Sequence, residues 1–307
     1  MSAYALKRLL RAVPVVIGAT FVVFLLAFAV PGDPAQALAG ERAADPAFTA
    51  VIEAKYHLDE PLLQQYGRFL LGAVQGDFGE TYSGQQVSGV LADRFAVSLR
   101  LATTALVIEA VLGIGLGVVA ALRRDRFADH AIRLLSLVAL SLPFFVTAFV
   151  LQFLLGARLE LFPVAGIEDG LRSYLLPGFV LASFSIAYVT RLTRSSLLDS
   201  LSEQYVKTAV AKGVRWRTVV TRHGLRNSMI PVVTFLGLEF GAMLNATVII
   251  ESIFNLPGVG QGLARAIYLG ERTMIVGIVT ALVLVYIVLN LIIDLLYAVL
   301  DPRIRYE

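Results

Sequence analysis

The sequence contains no cysteine, which excludes disulfide bonds, thiolate metal ligands and a cysteine nucleophile. Its three histidines, His57, His130 and His223, are too scattered to suggest a metal site. The G-x-x-x-x-G-K-[ST] loop that cradles nucleotide phosphates is also missing, so the chain is not expected to hydrolyse ATP by that route. Neither H-E-x-x-H nor G-x-S-x-G occurs. We therefore predict that the chain is not an enzyme and has no catalytic residue, metal or cofactor of its own.

Charged residues are scarce as well. They make up 16% of the 307 residues, whereas 57% are hydrophobic, and the mean hydropathy is +0.76. Soluble domains carry about 25% charged residues, so this is the composition of a membrane protein. The net charge of +3 is small, and nucleic acid is not an expected partner.

Six apolar runs are long enough, or nearly so, to cross a bilayer, which takes about 20 helical residues. We predict an all-α polytopic membrane protein with six transmembrane helices at 12–30, 101–122, 134–155, 174–189, 229–250 and 274–300. Pro143 and Pro177 predict kinks or helix breaks in the third and fourth spans. Gly113-x-x-x-Gly117 in the second span favours close packing against another helix.

Lysine and arginine are distributed unevenly between the connections. One side of the predicted bundle carries 17 of them and the other carries 9, and the richer side is cytoplasmic by the positive-inside rule. Both termini are then cytoplasmic. We divide the chain into an N-terminal tail with the first span (1–30), an external segment with a short helix near 62–71 (31–97), and a five-helix core (98–307). The core contains a cytoplasmic loop at 191–228, which we call the coupling loop.

The coupling loop carries eight of the 26 lysines and arginines, and its pattern predicts two short helices separated by a break. Ser200 and Glu203 fit a capping box at the first helix start. Gly213 is suited to end that helix in a left-handed conformation, and Trp216 opens the apolar face of the second. An amphipathic helix pair between two spans must bury its apolar faces on a partner or on lipid. The alternative is a solvated basic loop.

Five motifs carry a family resemblance. The stretch from Tyr205 to Gly213, YVKTAVAKG, with HGLRN at 223–227, resembles the cytoplasmic EAA loop of ABC importer membrane subunits, although Lys207 stands where the general motif has glutamate. More narrowly it resembles the B-type permeases of dipeptide, oligopeptide and nickel importers. Four further matches follow the order of that family: LDEPLLQQY (58–66), GDFG (76–79), LFPVAG (161–166) and ESIFNLPGVG (251–260).

The resemblance implies a type I ABC importer permease in the bacterial inner membrane. It implies three kinds of partner besides the bilayer: a second homologous permease, two ATP-binding subunits or domains that hold ATP and magnesium, and an external solute-binding protein. The solute would be a di- or oligopeptide, with nickel, glutathione or haem compounds as alternatives. The residues expected to contact the ATPase are Glu203, Tyr205, Lys207, Ala209, Ala211, Lys212, Gly213, Trp216, Arg222 and His223.

Polar residues inside the predicted spans point to a solute pathway. A bare carboxylate at the bilayer centre costs about 2.5–3.5 kcal/mol, so such groups usually face a cavity or a partner. We assign Glu109, Glu239 and Asn245 to the pathway, and hypothesise that Glu239 favours a solute with a free amino group. The alternative is a structural role for Glu239. A rival function, a self-sufficient secondary transporter, would use Glu109, Glu239 and Asp294 to relay protons.

The segment after the fifth span predicts an external gate. Pro257-Gly258 is a strong turn signal, and Phe254 would pack an apolar turn at the outer mouth. We therefore assign Glu251, Phe254, Pro257 and Gly258 to a gate, the alternative being a tight loop that only joins two spans.

Overall fold

The computed structural model describes residues 2–29, 46–47, 50, 53, 59–81 and 83–300. These residues form helices and turns, and the only extended pairing among them is an isolated bridge between Glu80 and Gln86. The longer helices are α1 (Ser2–Ala29), α2 (Leu62–Val74), α3 (Val87–Leu122), α4 (Phe127–Ser141), α5 (Phe144–Leu151), α6 (Arg172–Ser202), α7 (Gln204–Ala211), α8 (Trp216–Ile253), α9 (Val259–Leu269) and α10 (Arg272–Leu300).

Three helices, α3, α6 and α8, are long and apolar enough to cross a membrane. A fourth candidate is α4 together with α5 and its π-helical extension to Arg158, which bend by 103° at their junction. The apolar stretches 13–27 and 272–288, within α1 and α10, are shorter. The described structure is thus helical with three to four candidate spans, and the number six stays a prediction.

The two prolines behave differently. Pro143 directly precedes α5 at the 103° bend, which confirms the predicted break in the third span. Pro177 lies inside α6, which runs without interruption from Arg172 to Ser202, so the helix does not break there, and a kink at this position stays a prediction. Pro177 is the sixth residue of the helix, and its missing N–H removes a single bond in the first turns. The fourth span is accordingly much longer than its apolar run.

Contacts divide the chain into two units, one of residues 1–97 and 257–307 and the other of residues 98–256. In the first unit, α1 packs on α10 and α2 docks on α1 through Tyr66. The Tyr66 hydroxyl lies 2.9 Å from both the Ile17 carbonyl and Thr20 Oγ1, and its ring meets Phe21 and Phe24 edge-on. The predicted short helix near 62–71 is confirmed as α2.

The second unit is built around α6. It packs along α8 and against α4 and α5, and it meets α3 where that helix has glycines. A Cβ built on Gly113 would lie 2.7 Å from Val189, and one on Gly117 would lie 2.5 Å from the Cβ of Thr193. The two helices can approach this closely only because both positions lack a side chain, which confirms the predicted packing.

Candidate functional site

The coupling loop contains one short free-standing helix, α7. The chain leaves α6 at Ser202, turns at Glu203 and enters α7 at Gln204. Gly213 ends this helix with φ +77°, and the backbone N–H of Val214 donates to the Ala209 carbonyl across 3.2 Å. This positive φ confirms the predicted left-handed glycine. A residue with a Cβ would adopt this conformation only at a cost in free energy, which is why glycine suits the position.

Two local predictions in this loop are wrong. Ser200 lies in the last turn of α6, where its hydroxyl donates to the Gly224 carbonyl at 3.0 Å. It therefore caps no helix, and α7 has no side-chain cap. The second short helix is not separate either, because the helix that begins at Trp216 continues through a π-helical turn, Val219–Leu225, into α8. The Ser200 hydroxyl bonds to a residue 24 positions away, and a rule based on short-range spacing does not predict such a contact.

The loop has a buried face and an exposed face. Val206, Ala209 and Val219 are buried together against Leu201 and Val214. The apolar face of α7 is thus covered largely by the chain itself, contrary to the expectation that only a partner or lipid could cover it. The other side, which we call the docking face, consists of exposed residues: Lys207, Val210, Ala211, Lys212 and Trp216.

The remaining predicted coupling residues are divided between these surroundings. Glu203, Gly213 and Arg222 are exposed, and His223 is half-buried. The exposed apolar area of the docking face comes mainly from Trp216, which is 55% exposed, and Val210. Aromatic residues such as Trp216 are enriched at protein interfaces, and lysines at the rim of such a surface favour a partner with acidic groups.

Tyr205 ties α7 to both long helices. Its hydroxyl lies 2.8 Å from Ser200 Oγ of α6, accepts a hydrogen bond from Asn227 Nδ2 at 2.9 Å and lies 3.3 Å from the His223 carbonyl. A shallow surface groove of about 390 Å³, lined mostly by polar residues, lies beside these groups. The Tyr205 hydroxyl therefore joins α7 to Ser200 in the last turn of α6 and to Asn227 within α8.

A buried ion pair near the same end of α6 was not predicted. Asp129 of α4 is fully buried, and Arg194 of α6 donates two hydrogen bonds of 2.7 Å to its two carboxylate oxygens. The backbone N–H of Asp125 donates to the same group at 3.0 Å, and Arg133 Nε lies 3.4 Å from it. This bidentate pair joins α4 to α6 with fixed geometry. No spacing rule in the sequence pairs residues this far apart.

The predicted pathway residues do not form one group. Glu109 on α3 is fully buried, and Glu239 on α8 is half-buried and interacts with it electrostatically. Asn245 is exposed and donates to the Gly241 carbonyl of its own helix at 3.4 Å. Glu109 and Glu239 therefore lie within electrostatic range of each other, as like charges that repel, whereas Asn245 is exposed and bonded within its own helix.

The predicted gate residues Glu251 and Phe254 are buried in the second unit. Ser98 donates a hydrogen bond to the Glu251 carboxylate, and the Phe254 carbonyl accepts one from the Gly166 N–H at 3.1 Å. In the first unit, Gly258 precedes α9 and its carbonyl accepts a hydrogen bond from Arg94 at 3.1 Å. These contacts show ordered turns, and the gating role stays a prediction.

Comparison with known proteins places these features in a family. The model of the "Binding-protein-dependent transport system inner membrane component" matches residues 113–306, and the corresponding N-terminal model matches residues 1–102. The chain is 38% identical over 305 residues to the glutathione transport system permease protein GsiC of Salmonella paratyphi A. It is 37% identical to GsiC of Escherichia coli K12. Each alignment covers 99% of both chains.

Proposed function

Because the chain belongs to the family of binding-protein-dependent transport system inner membrane components, the permeases of ABC importers, we propose that it forms half of a translocation pathway for small peptides. It is a multi-pass protein of the bacterial inner membrane. A homologous permease supplies the other half, an external binding protein delivers the solute, and two ATP-binding subunits or domains supply the energy. Both termini and the coupling loop are cytoplasmic in this arrangement, with six spans in all.

The observation that carries the proposal is the docking face together with the Tyr205 network. The docking face presents exposed Trp216 and Val210 beside Lys207 and Lys212, a surface suited to a partner cleft. Behind it, Tyr205 connects α7 to Ser200 at the end of α6 and to Asn227 in α8. Closure of the ATP-binding subunits would displace α7, and the two long helices would move with it. Rocking of these helices would turn the pathway from inward-facing to outward-facing.

For the solute, we propose small peptides of the glutathione type. Glutathione is itself a tripeptide, so this choice lies within the peptide class that the sequence motifs imply. The relatives named as glutathione permeases align with this chain over 99% of both lengths, which supports glutathione over nickel or haem. The solute-binding protein sets the final selection among peptides.

The coupling role is tested by site-directed cross-linking, which the absence of native cysteine makes simple. Ala211→Cys on the docking face is expected to form a cross-link with the ATP-binding subunit in membranes that contain the whole importer. Tyr268→Cys on α9 is the control, because Tyr268 is 90% exposed and the proposed topology places it outside. A cross-link from Tyr268 but none from Ala211 would contradict the proposal.

Transport itself separates an importer subunit from a secondary transporter. Uptake of labelled glutathione or dipeptide is expected only when this chain, the second permease, the ATP-binding subunits and the binding protein are present together. Uptake by this chain alone, driven by a proton gradient, would instead establish the rival function.

A further inference from the structure

Two packed helix pairs align the polar residues of the second unit. Helices α3 and α6 run parallel, because Gly113 meets Val189 and Gly117 meets Thr193. One helical turn is close to four residues, so four residues before the Gly113–Val189 contact, the same helix faces present Glu109 and Ser185. Glu109 on α3 is therefore level with Ser185 on α6.

The second helix pair, α6 and α8, shows which residue of α8 lies at the same level as Glu109 and Ser185. Helices α6 and α8 run antiparallel, since Ser200 meets Gly224 and the rings of Tyr188 and Phe235 stack at 4.4 Å. In an antiparallel pair, moving back along one helix corresponds to moving forward along the other. Ser185, three residues before Tyr188, is therefore level with Glu239, four residues after Phe235.

An apolar cluster one turn along the helices supports the same alignment of Glu109 with Glu239. Ala105, Ala182 and Met243 pack together in one apolar cluster. Glu109 lies four residues after Ala105, and Glu239 lies four residues before Met243. Glu109, Ser185 and Glu239, two carboxylates and one hydroxyl, therefore lie at one level beside this apolar cluster, which also contains Ile186. We call these three residues the polar layer.

This polar layer lacks a cation. Glu109 is fully buried, and its carboxylate oxygens have no partner at full hydrogen-bond geometry among the described residues, although the Ser185 hydroxyl lies near enough to interact with them. No lysine or arginine in the described part of the chain forms an ion pair with Glu109 or Glu239. Burying a carboxylate without a partner is strongly unfavourable, and intramembrane carboxylates usually serve a solute or an ion. A positively charged group at this level would let both carboxyl groups ionise in place of being protonated.

We propose that Glu109, Ser185 and Glu239 form a binding site for the primary ammonium group of the transported peptide. An ammonium group has three N–H donors, and the layer offers three acceptor groups at one level of three packed helices. Ser185 directs its own hydroxyl to the Ala182 carbonyl at 3.2 Å, which leaves its lone pairs for an incoming donor. Half-buried Glu239 is the point of entry, and buried Glu109 completes the site. This inference rests on the proposed function, because it assigns the transported peptide as the ligand.

The site is tested by carbodiimide labelling of the full chain in the assembled importer. Dicyclohexylcarbodiimide modifies protonated carboxyl groups in apolar surroundings, and a bound ammonium keeps such groups ionised and shielded. Glutathione with its free amine is expected to reduce labelling of Glu109 and Glu239 about tenfold, as detected by mass spectrometry. Glutathione acetylated on that amine is expected to leave labelling unchanged.

Two variants define the site further. Glu239→Gln is expected to raise the glutathione concentration needed to protect Glu109 by about tenfold or more, the effect of losing one charged hydrogen-bond partner. Glu168→Gln, on an exposed residue, is the matched control and is expected to change nothing.

Several outcomes would overturn the inference. These are equal protection by free and acetylated glutathione, equal protection by sodium chloride at matched ionic strength, or no labelling of either residue in any condition. Glutathione uptake measured in the same preparation keeps the two proposals apart. Uptake without amine-dependent protection would reject only the ammonium site, whereas protection without ATP-driven uptake would reject only the transport function.

Discussion

Replacing Asp129 by asparagine tests whether the buried ion pair holds α4 against α6. Asp129 is fully buried, and Arg194 is 18% exposed on its side chain. The substitution removes the charge that receives two 2.7 Å hydrogen bonds and leaves the guanidinium without its counter-ion. Breaking a buried pair from one side costs about 3–5 kcal/mol. Because Arg194 can regain some hydration, we expect a loss of about 3 kcal/mol in the free energy of unfolding.

The assay is unfolding of the purified chain in mixed micelles with an increasing fraction of denaturing detergent. Asp125→Asn is the matched control, because the Asp125 side chain is 69% exposed, forms its ion pair with exposed Arg124 and attracts Arg194 only through a smaller, unbonded charge interaction. Surface pairs of this kind contribute about 0–1 kcal/mol. Asparagine also tolerates the positive φ of 58° at that position.

A double-mutant cycle with Arg194→Gln completes the test. If the two side chains stabilise the fold through each other, the double variant should lose less than the sum of the single losses, with a coupling of about 2 kcal/mol. Additive losses would refute the reasoning, and so would a loss for Asp129→Asn no larger than that of Asp125→Asn.

Three further substitutions give sharp expectations. Gly117→Val should reduce the yield of folded chain severalfold, as measured by size-exclusion chromatography, because its Cβ would overlap Thr193. Gly115→Ala should leave the yield unchanged, because no described atom lies within 4 Å of its new Cβ. Gly213→Ala should weaken binding of the ATP-binding subunits about fivefold, the equivalent of about 1 kcal/mol for a left-handed alanine; unchanged affinity would argue that this turn does not shape the docking face. Tyr205→Phe should leave affinity for these subunits nearly intact but lower transport per ATP hydrolysed, and an unchanged ratio would show that its hydroxyl does not transmit motion.

The sequence alone was enough to establish the membrane class, the helical composition and the family. Long apolar runs identify helices because the bilayer core supplies no hydrogen-bond partners, so the backbone N–H and C=O groups must bond to each other within a helix. Gly213 and Pro143 were predicted correctly because their effects depend on their own backbone geometry. Five ordered motifs pointed to the importer permeases, and the family match confirmed that assignment.

Tertiary structure decided which residues meet. Ser200 bonds to Gly224 instead of capping α7, and Asp129 pairs with Arg194 across 65 residues. The level of Glu109, Ser185 and Glu239 follows from glycine contacts and ring stacking between three helices. Local pattern rules describe interactions within a few residues along one element. The side chains that bind or transmit motion act across elements, so their pairing is set by how the helices pack.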